Sequence, residues 1–211
     1  QEKIAFDLDG VFTASWSPNG KQLAFVGNEG GASDIYIYEI ESKKTINLTN
    51  DVFSDTEPSW SPNGEKIVFI SDRGNKNNNI NTTAKDMIDH NYEQSDVFII
   101  DLNSRDINQV TNTAYNENYP IFSNTENKLF YTADYQGTWN LFRHDLDSRK
   151  SEPVTNLLTG LFQLSLTKDD GSLVFSGYSS LGWDVFRLSN PLNLEPTKIE
   201  PTNYIANREE N

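Results

Sequence analysis

Two nearly identical turns decide the fold of this chain: Ser15-Trp16-Ser17-Pro18-Asn19-Gly20 and, 44 residues later, Ser59-Trp60-Ser61-Pro62-Asn63-Gly64. A short apolar run rich in β-branched and aromatic residues follows each turn, as is typical of a β-strand. A repeat of this length matches one four-stranded propeller blade, which cannot bury both of its faces by itself. The sequence therefore predicts a stack of blades.

Weaker copies of the turn continue the repeat at Ser123 to Asn127 and at Thr167 to Gly171. The interval from Gly64 to Asn127 is 63 residues instead of 44, so the second repeat contains an insertion. Each repeat also has an Asp or Asn at the entry to a later strand and a Thr-Asn pair at its close. These residues are Asp34, Asp96, Asn140 and Asp184, and Thr49-Asn50, Thr111-Asn112, Thr155-Asn156 and Thr202-Asn203.

The repeat frame predicts an all-β fold, a β-propeller with four complete four-stranded blades that form part of a larger propeller. We expect the blades at about 11–50, 51–112, 113–156 and 157–203, with Ile199 on the outer strand of the fourth. Residues 1–12 align without a gap on residues 151–162, which predicts that residues 1–6 are the outer strand of a preceding blade. Residues 204–211 are expected to be a tail or the start of the next module.

Together these signatures resemble the TolB-type, WD40-like propeller repeat of bacterial envelope proteins. The resemblance covers residues 1 to about 203, and the turns of the third and fourth repeats depart from it. It implies a protein-binding scaffold that is not itself an enzyme, in the periplasm or cell envelope or in a secreted assembly. The matching residues are Trp60 to Lys66, Phe69 to Gly74, Asp34-Ile35-Tyr36 and Leu48-Thr49.

Two alternatives stay open at this point, because a fold does not by itself define a function. The propeller could be the gating domain of a serine peptidase of the prolyl-oligopeptidase type, or part of a carbohydrate-active enzyme. The partner of a scaffold could also be another domain of the same parent chain.

Composition restricts the partners further. The chain has 17 basic and 31 acidic residues and a net charge of −14, so its field repels the phosphate backbone of nucleic acids. No apolar run approaches the ~18 residues of a membrane span, which predicts no direct membrane insertion. The absence of cysteine excludes disulfides and thiolate metal sites within the chain.

Several motifs that suggest catalysis or metal binding fit turns better. Asp7-Leu8-Asp9-Gly10 resembles a phosphatase motif, yet that chemistry needs an α/β scaffold. Gly177 to Gly182 lacks the spacing of a nucleophile elbow, and Asp169-Asp170-Gly171 lacks the further carboxylates of a calcium loop. His90 and His144 have no metal-ligand spacing. We therefore expect no catalytic, cofactor or metal-binding residue.

The insertion at residues 75–94 is the strongest candidate for function, because long loops on a rigid scaffold often carry binding. Residues 83–91 could form a short helix. Loops between second and third strands share one face of a propeller, which places Asp72, Arg73, Tyr135 and Tyr178 beside the insertion. These four residues are the predicted partner-binding site. Trp16 and Trp60, on first strands, are expected to fill the gaps between blades.

Overall fold

The structure, a computed structural model, describes residues 3–74, 87, 88 and 90–209. Its strands form four antiparallel sheets, each built from consecutive strands. The all-β class and the four-bladed propeller arrangement are thus confirmed. The first sheet contains β1 (Gly10–Trp16), β2 (Gln22–Glu29), β3 (Ala32–Glu39) and β4 (Thr45–Asn47), and the second contains β5 (Asp55–Trp60), β6 (Lys66–Ser71), β7 (Asp96–Asp101) and β8 (Ile107–Gln109).

The third sheet has four strands and the fourth has three. They are β9 (Glu117–Phe122), β10 (Lys128–Ala133), β11 (Asn140–Asp145) and β12 (Lys150–Pro153), and then β13 (Leu161–Leu166), β14 (Ser172–Ser179) and β15 (Gly182–Ser189). A short helix, α1, covers Asn203–Glu209. Within the described ranges, no helix is long and apolar enough to span a membrane.

The core lies between successive sheets. One cluster of buried side chains joins the first and second blades, a second joins the second and third, and a third joins the third and fourth. Alternate residues of each strand face opposite neighbours, as the two-residue period of a strand requires. On β7, for example, Phe98 faces the first blade and Val97 the third.

A β-bulge interrupts the first strand of every blade at the same position of the repeat. In each blade the bulged residue has a positive φ although it is not a glycine. This backbone conformation is uncommon and strained for such residues. This bulge was not predicted from the sequence. The bulged residues are Thr13, Glu57, Tyr119 and Gln163.

The Asp or Asn and Thr signatures of the repeat form a buried latch that closes the first and third blades. In the first blade, the amide N–H of Ile35 donates to Thr49 Oγ1 at 3.1 Å, and Thr49 Oγ1 lies 3.1 Å from Asp34 Oδ1. The same contacts join Leu141, Thr155 and Asn140 in the third blade. In the second blade the Val97 N–H donates to Thr111 Oγ1 at 2.8 Å, but Thr111 Oγ1 donates to Glu117 instead of Asp96. The latch explains why these two residue types recur about 15 positions apart.

The fourth repeat departs from its predicted structure. Among the described residues its sheet has no outer strand, and Ile199 is buried in the cluster between the second and third blades instead. The chain after β15 runs back over the third blade, where the N–H groups of Thr197 and Thr202 donate to the carbonyls of Pro153 and Gln136. Thr202 therefore contacts the third blade and does not form a latch with Asp184 in the fourth.

Two further expectations need correction. Residues 3–6 do not form the predicted strand, and Phe6 packs on Phe25 and Tyr38 of the first sheet. Trp60 is buried as predicted and its indole N–H donates to the Ser15 carbonyl, whereas Trp16 is 61% exposed. The first blade covers Trp60, but no described sheet covers the corresponding side of β1.

Candidate functional site

The predicted site lies at the end of the sheets that carries the β2–β3, β6–β7, β10–β11 and β14–β15 connections, here called the insertion end. The opposite end carries the repeated Ser-Pro-Asn-Gly turns and is called the turn end. Residues 75–86 and 89 of the insertion lie outside the described residues, and with them most of the predicted helix at 83–91. The four predicted site residues are all described.

Arg73 does not stand exposed beside the insertion, because its side chain is only 1% exposed. Its guanidinium donates to Asp51 at 2.9 Å and to both carboxylate oxygens of Asp55 at 2.7 Å. Burial by itself would lower the pKa of Arg73, but the charges of Asp55 and Asp51 raise it above its usual value. Arg73 is therefore a permanent buried cation that ties the entry of β5 to the end of β6.

Three aromatic rings enclose the Arg73 guanidinium. Its central carbon lies 5.3 to 5.6 Å from the ring centroids of Phe53, Phe69 and Phe98, within the range of a cation–π contact. This shell leaves no route for a partner to contact the guanidinium directly. Arg73 thus acts by positioning the surrounding segments.

An acidic cluster at this junction has the spacing of a cation site. Ligand oxygens of Asp34, Asp51 and Asp55 lie within 4.8 Å of one another. Arg73 already bonds to two of these three carboxylates, so the protein supplies the balancing positive charge itself. Asp34 accepts from Thr49 and Asn47 in the latch. These three carboxylates lie close together because they form the bonds that hold the first two blades together.

Asp72 also has a structural role in this arrangement. Its Oδ1 accepts the amide N–H of Ser54 at 2.9 Å, and Asp134 accepts that of Asn116 in the same way one blade later. Its Oδ2 lies 3.6 Å from Nε2 of His90. Burial raises the pKa of Asp72.

The C-terminal part of the insertion is held against the second blade. Met87 is buried, and the ring of His90 contacts Phe53 and Tyr92 at centroid distances of 5.5 and 4.8 Å. The amide of Gln94 then donates to the carbonyl of Tyr115 in the third blade. The insertion therefore returns to the scaffold at a fixed position.

Tyr135 and Tyr178 are exposed, at 37% and 41%, and belong to a larger set of rings. We call this set the aromatic patch. One part joins Tyr115 to Tyr135 at 5.2 Å, and the other runs from Trp139 through Phe162 and Trp183 to Tyr178 at 5.5 to 6.4 Å. Trp183, Phe162 and Tyr115 were not predicted from the sequence as neighbours of the site.

The next blade junction contains a related acidic pair without an arginine. In the repeat frame Glu117 replaces Asp55 and Tyr135 replaces Arg73. Glu117 is fully buried and accepts from Thr111 and Thr113 at 3.1 and 2.7 Å. Burial and then the Asp96 carboxylate raise the pKa of Glu117 to about 8, so at neutral pH it is mostly protonated beside Asp96.

The other motifs occupy turns and strands. Asp9 accepts the amide N–H of Gly30 at 3.0 Å, and Asp170 accepts from Ser123 and Thr125 across the junction between the third and fourth blades. His144 is buried on β11, with Nδ1 2.8 Å from Ser151 Oγ. Ser179 lies at the tip of the β14–β15 hairpin and bonds to Asp184.

Comparison with known proteins agrees with this architecture. Residues 2–86 match the family model of the TolB beta propeller domain. A 45-residue stretch is 47% identical to the Tol-Pal system protein TolB of Ruthia magnifica subsp. Calyptogena magnifica, covering 21% of this chain and 11% of that protein.

Solved structures share the fold over most of the chain. The crystal structure of TolB from Acinetobacter baumannii has a TM-score of 0.66 at 16% identity, covering 90% of this chain and 45% of that one. A Mycobacterium tuberculosis puromycin-hydrolyzing peptidase has a TM-score of 0.63 at 14% identity, covering 96% and 30%. The chain thus spans less than half the length of each relative named here. The chain therefore has a β-propeller fold, and its residues 2–86 are similar to the TolB beta propeller domain.

Proposed function

We propose that this chain is a protein-binding propeller scaffold, without catalytic activity of its own, in a bacterial envelope or secreted assembly. The aromatic patch at the insertion end is the observation that supports this function best. Exposed Trp and Tyr side chains are enriched in the energetically important parts of protein interfaces. Here Trp183, Tyr178 and Tyr135 are presented by rigid strands and hairpins, so little conformational entropy is lost on binding.

The four predicted site residues take two different roles in this proposal. Tyr135 and Tyr178 contact the partner directly, because their rings are exposed. Asp72 and Arg73 position the segments that border the insertion, since both are buried and bonded within the second blade. In this proposal the insertion at residues 75–94 adds a further contact with the partner.

The envelope location rests on the family match of residues 2–86. The relative from Ruthia magnifica is named as a Tol-Pal system protein. A scaffold role is consistent with a site built from aromatic contacts. The net charge of −14 makes a basic or neutral protein surface a better partner than nucleic acid.

The test is affinity capture from a bacterial envelope extract by the immobilised protein, with mass spectrometry of the retained proteins. Tyr135→Ala combined with Tyr178→Ala should remove the specific partners without lowering the unfolding midpoint. Trp16→Ala is the matched control, because it removes an exposed ring at the turn end. Partners that are retained equally by the double variant and the wild type would contradict the proposal.

A second arm addresses the insertion. Replacing residues 75–86 by a Gly/Ser segment of equal length keeps the anchored residues Met87 and His90 in place. We expect capture to be lost while the domain remains folded. Unchanged capture by this variant would limit the site to the aromatic patch.

The likeness to the puromycin-hydrolyzing peptidase favours one other function, a propeller domain within a larger peptidase. In that case the insertion end would face a hydrolase domain of the same protein. The sequence of the parent gene distinguishes the two functions, since a peptidase needs a G-x-S-x-G nucleophile motif in an α/β-hydrolase domain.

A further inference from the structure

The outer edge of β15, the last strand of the fourth blade, is open. Within the described ranges this sheet ends at β15, whereas an outer strand follows the third strand in each of the other three sheets. The side chains from Trp183 to Arg187 are exposed, and Val185 is 79% exposed. An edge strand presents backbone N–H and C=O groups that a further strand can pair with. The edge of β15 can therefore accept one more strand.

The other three blades show which backbone bonds such a strand makes. In the first blade the Leu48 N–H donates to the Ile35 carbonyl at 2.8 Å, and the Ile35 N–H donates to Thr49 Oγ1 at 3.1 Å. The second and third blades repeat both bonds at 2.8 to 2.9 Å. Val185 occupies the position of Ile35 in the repeat frame, and no described residue forms either bond with it. An incoming strand can supply both bonds if a residue with a free N–H precedes a threonine.

The residue before this threonine should also be apolar. In the first blade Leu48 packs in the same buried cluster as Ile35, and in the third blade Val154 packs in the same cluster as Leu141. An apolar side chain at this position of an incoming strand would cover the exposed side chain of Val185 in the same way.

The charge on β15 restricts the incoming strand further. In the third blade Glu152 of β12 lies opposite Arg143 and accepts from its Nε at 3.1 Å. Arg187 has the position of Arg143 in the repeat frame and is exposed, and none of the ion pairs among the described residues involves it. Because Glu152 lies three residues before Thr155, a glutamate three residues before the threonine would complement the charge of Arg187.

The segment that should close the fourth repeat lacks one of these groups. Thr202 has the position of Thr155 in the repeat frame. The residue before it is Pro201, whereas Val154 stands there in the third blade. Proline has no N–H, so this segment cannot donate to the Val185 carbonyl as the other outer strands do. It packs on the third blade instead.

We propose that the outer edge of β15 binds an extended segment of another protein, in which a glutamate, any residue, an apolar residue and a threonine follow one another. The segment adds a fourth antiparallel strand to the last blade. Its apolar residue donates to the Val185 carbonyl, its threonine hydroxyl accepts the Val185 N–H, and its glutamate pairs with Arg187. The same hydroxyl reaches Asp184, as Thr49 reaches Asp34 in the first blade.

A peptide with the sequence of residues 150–156, Lys-Ser-Glu-Pro-Val-Thr-Asn, is the probe, because it contains the outer strand of the third blade. Titration into the whole isotope-labelled chain should give saturable changes of the amide chemical shifts on β15. A peptide with proline in place of valine should bind about tenfold more weakly or not at all, since the Val185 carbonyl then has no donor. The titration needs no envelope partner, so its outcome is separate from that of the affinity capture.

Exchanging the charges tests the register of the added strand. Arg187→Glu should weaken binding of the peptide by about threefold or more, and a peptide with lysine in place of glutamate should bind this variant better than the original peptide does. Lys168→Glu is the matched control, because it makes the same change of charge at an exposed position of the turn end. It should leave the binding of both peptides in the order seen with the wild type.

The positions of the shifts provide a check that does not depend on a variant. The amides of Val185 and Arg187 should shift, whereas those of Leu141 and Val154 in the complete third blade should not. The proposal would be overturned by the absence of saturable shifts on β15, by equal binding of the proline peptide, or by shifts confined to the third blade.

Discussion

At the scale of single residues, the two acidic junctions show how one repeat position can be neutralised in different ways. Asp55 is buried beside Arg73, which donates hydrogen bonds to both of its carboxylate oxygens. Burial raises the pKa of Asp55 to about 7, and the Arg73 charge opposes this rise. Glu117 occupies the equivalent position with no arginine opposite, and it remains protonated instead. A charged Glu117 beside Asp96 would place two unpaired negative charges in the core.

The raised pKa of Glu117 predicts a pH dependence of stability to which this residue contributes. Its pKa rises from about 4.5 in the unfolded chain to about 8 in the folded protein, so the folded state binds more protons between these values. The free energy of unfolding should therefore decrease as pH rises through this window, by on the order of a few kcal/mol. Glu117→Gln should remove this component and be more stable than the wild type at pH 8.

Urea unfolding at pH 5, 6.5 and 8 measures the effect. Glu41→Gln, at an exposed position, is the control and should follow the wild type at each pH. Equal pH profiles for Glu117→Gln and the wild type would show that Glu117 is ionised in the folded protein.

At the scale of elements, the latch of Asp34 and Thr49 fixes the outer strand of the first blade. Thr49→Val removes the acceptor of the buried Ile35 amide at nearly constant volume. A buried donor without a partner costs about 1–3 kcal/mol. We expect Thr49→Val to lower the free energy of unfolding by this amount, measured by urea denaturation.

Thr45→Val provides the comparison for this prediction, since Thr45 is exposed on β4 of the same blade. Its effect should be near zero. If Thr45→Val lowered the free energy of unfolding as much as Thr49→Val does, the loss would reflect the exchange of Thr for Val in general, and the latch would contribute nothing.

At the scale of the whole molecule, the segment after β15 connects the third and fourth blades. Leu192 and Leu194 cover the junction, and Thr202 and Ile205 approach Gly137 so closely that a Cβ atom there would lie 2.5 Å from Thr202 Oγ1. The combined substitution Leu192→Ala and Leu194→Ala should cost roughly 1–2 kcal/mol, because both side chains are half-buried.

Hydrogen exchange shows where this stability is lost. The amides of β13 and β14 should exchange faster, while those of the first blade stay unchanged. Leu181→Ala, at the exposed tip of the β14–β15 hairpin, should alter neither. Uniform faster exchange would indicate that the four blades unfold as one cooperative unit.

The sequence by itself determined the repeat, the all-β class and the blade arrangement, because these follow from a local pattern of strands and turns that recurs at a fixed period. It also placed Trp60 in the core and identified the Asp and Thr signatures, although not the latch they form. Only the tertiary structure decided that Arg73 is buried, that Trp16 is exposed and that Ile199 packs on an earlier blade. The physical reason is that burial depends on which neighbour covers a strand face, and equivalent positions of a repeat can have different neighbours. The ring contacts that join Tyr135 to Tyr115, and Tyr178 to Trp183 and Phe162, were not predicted for the same reason, since these residues come from segments far apart in the chain.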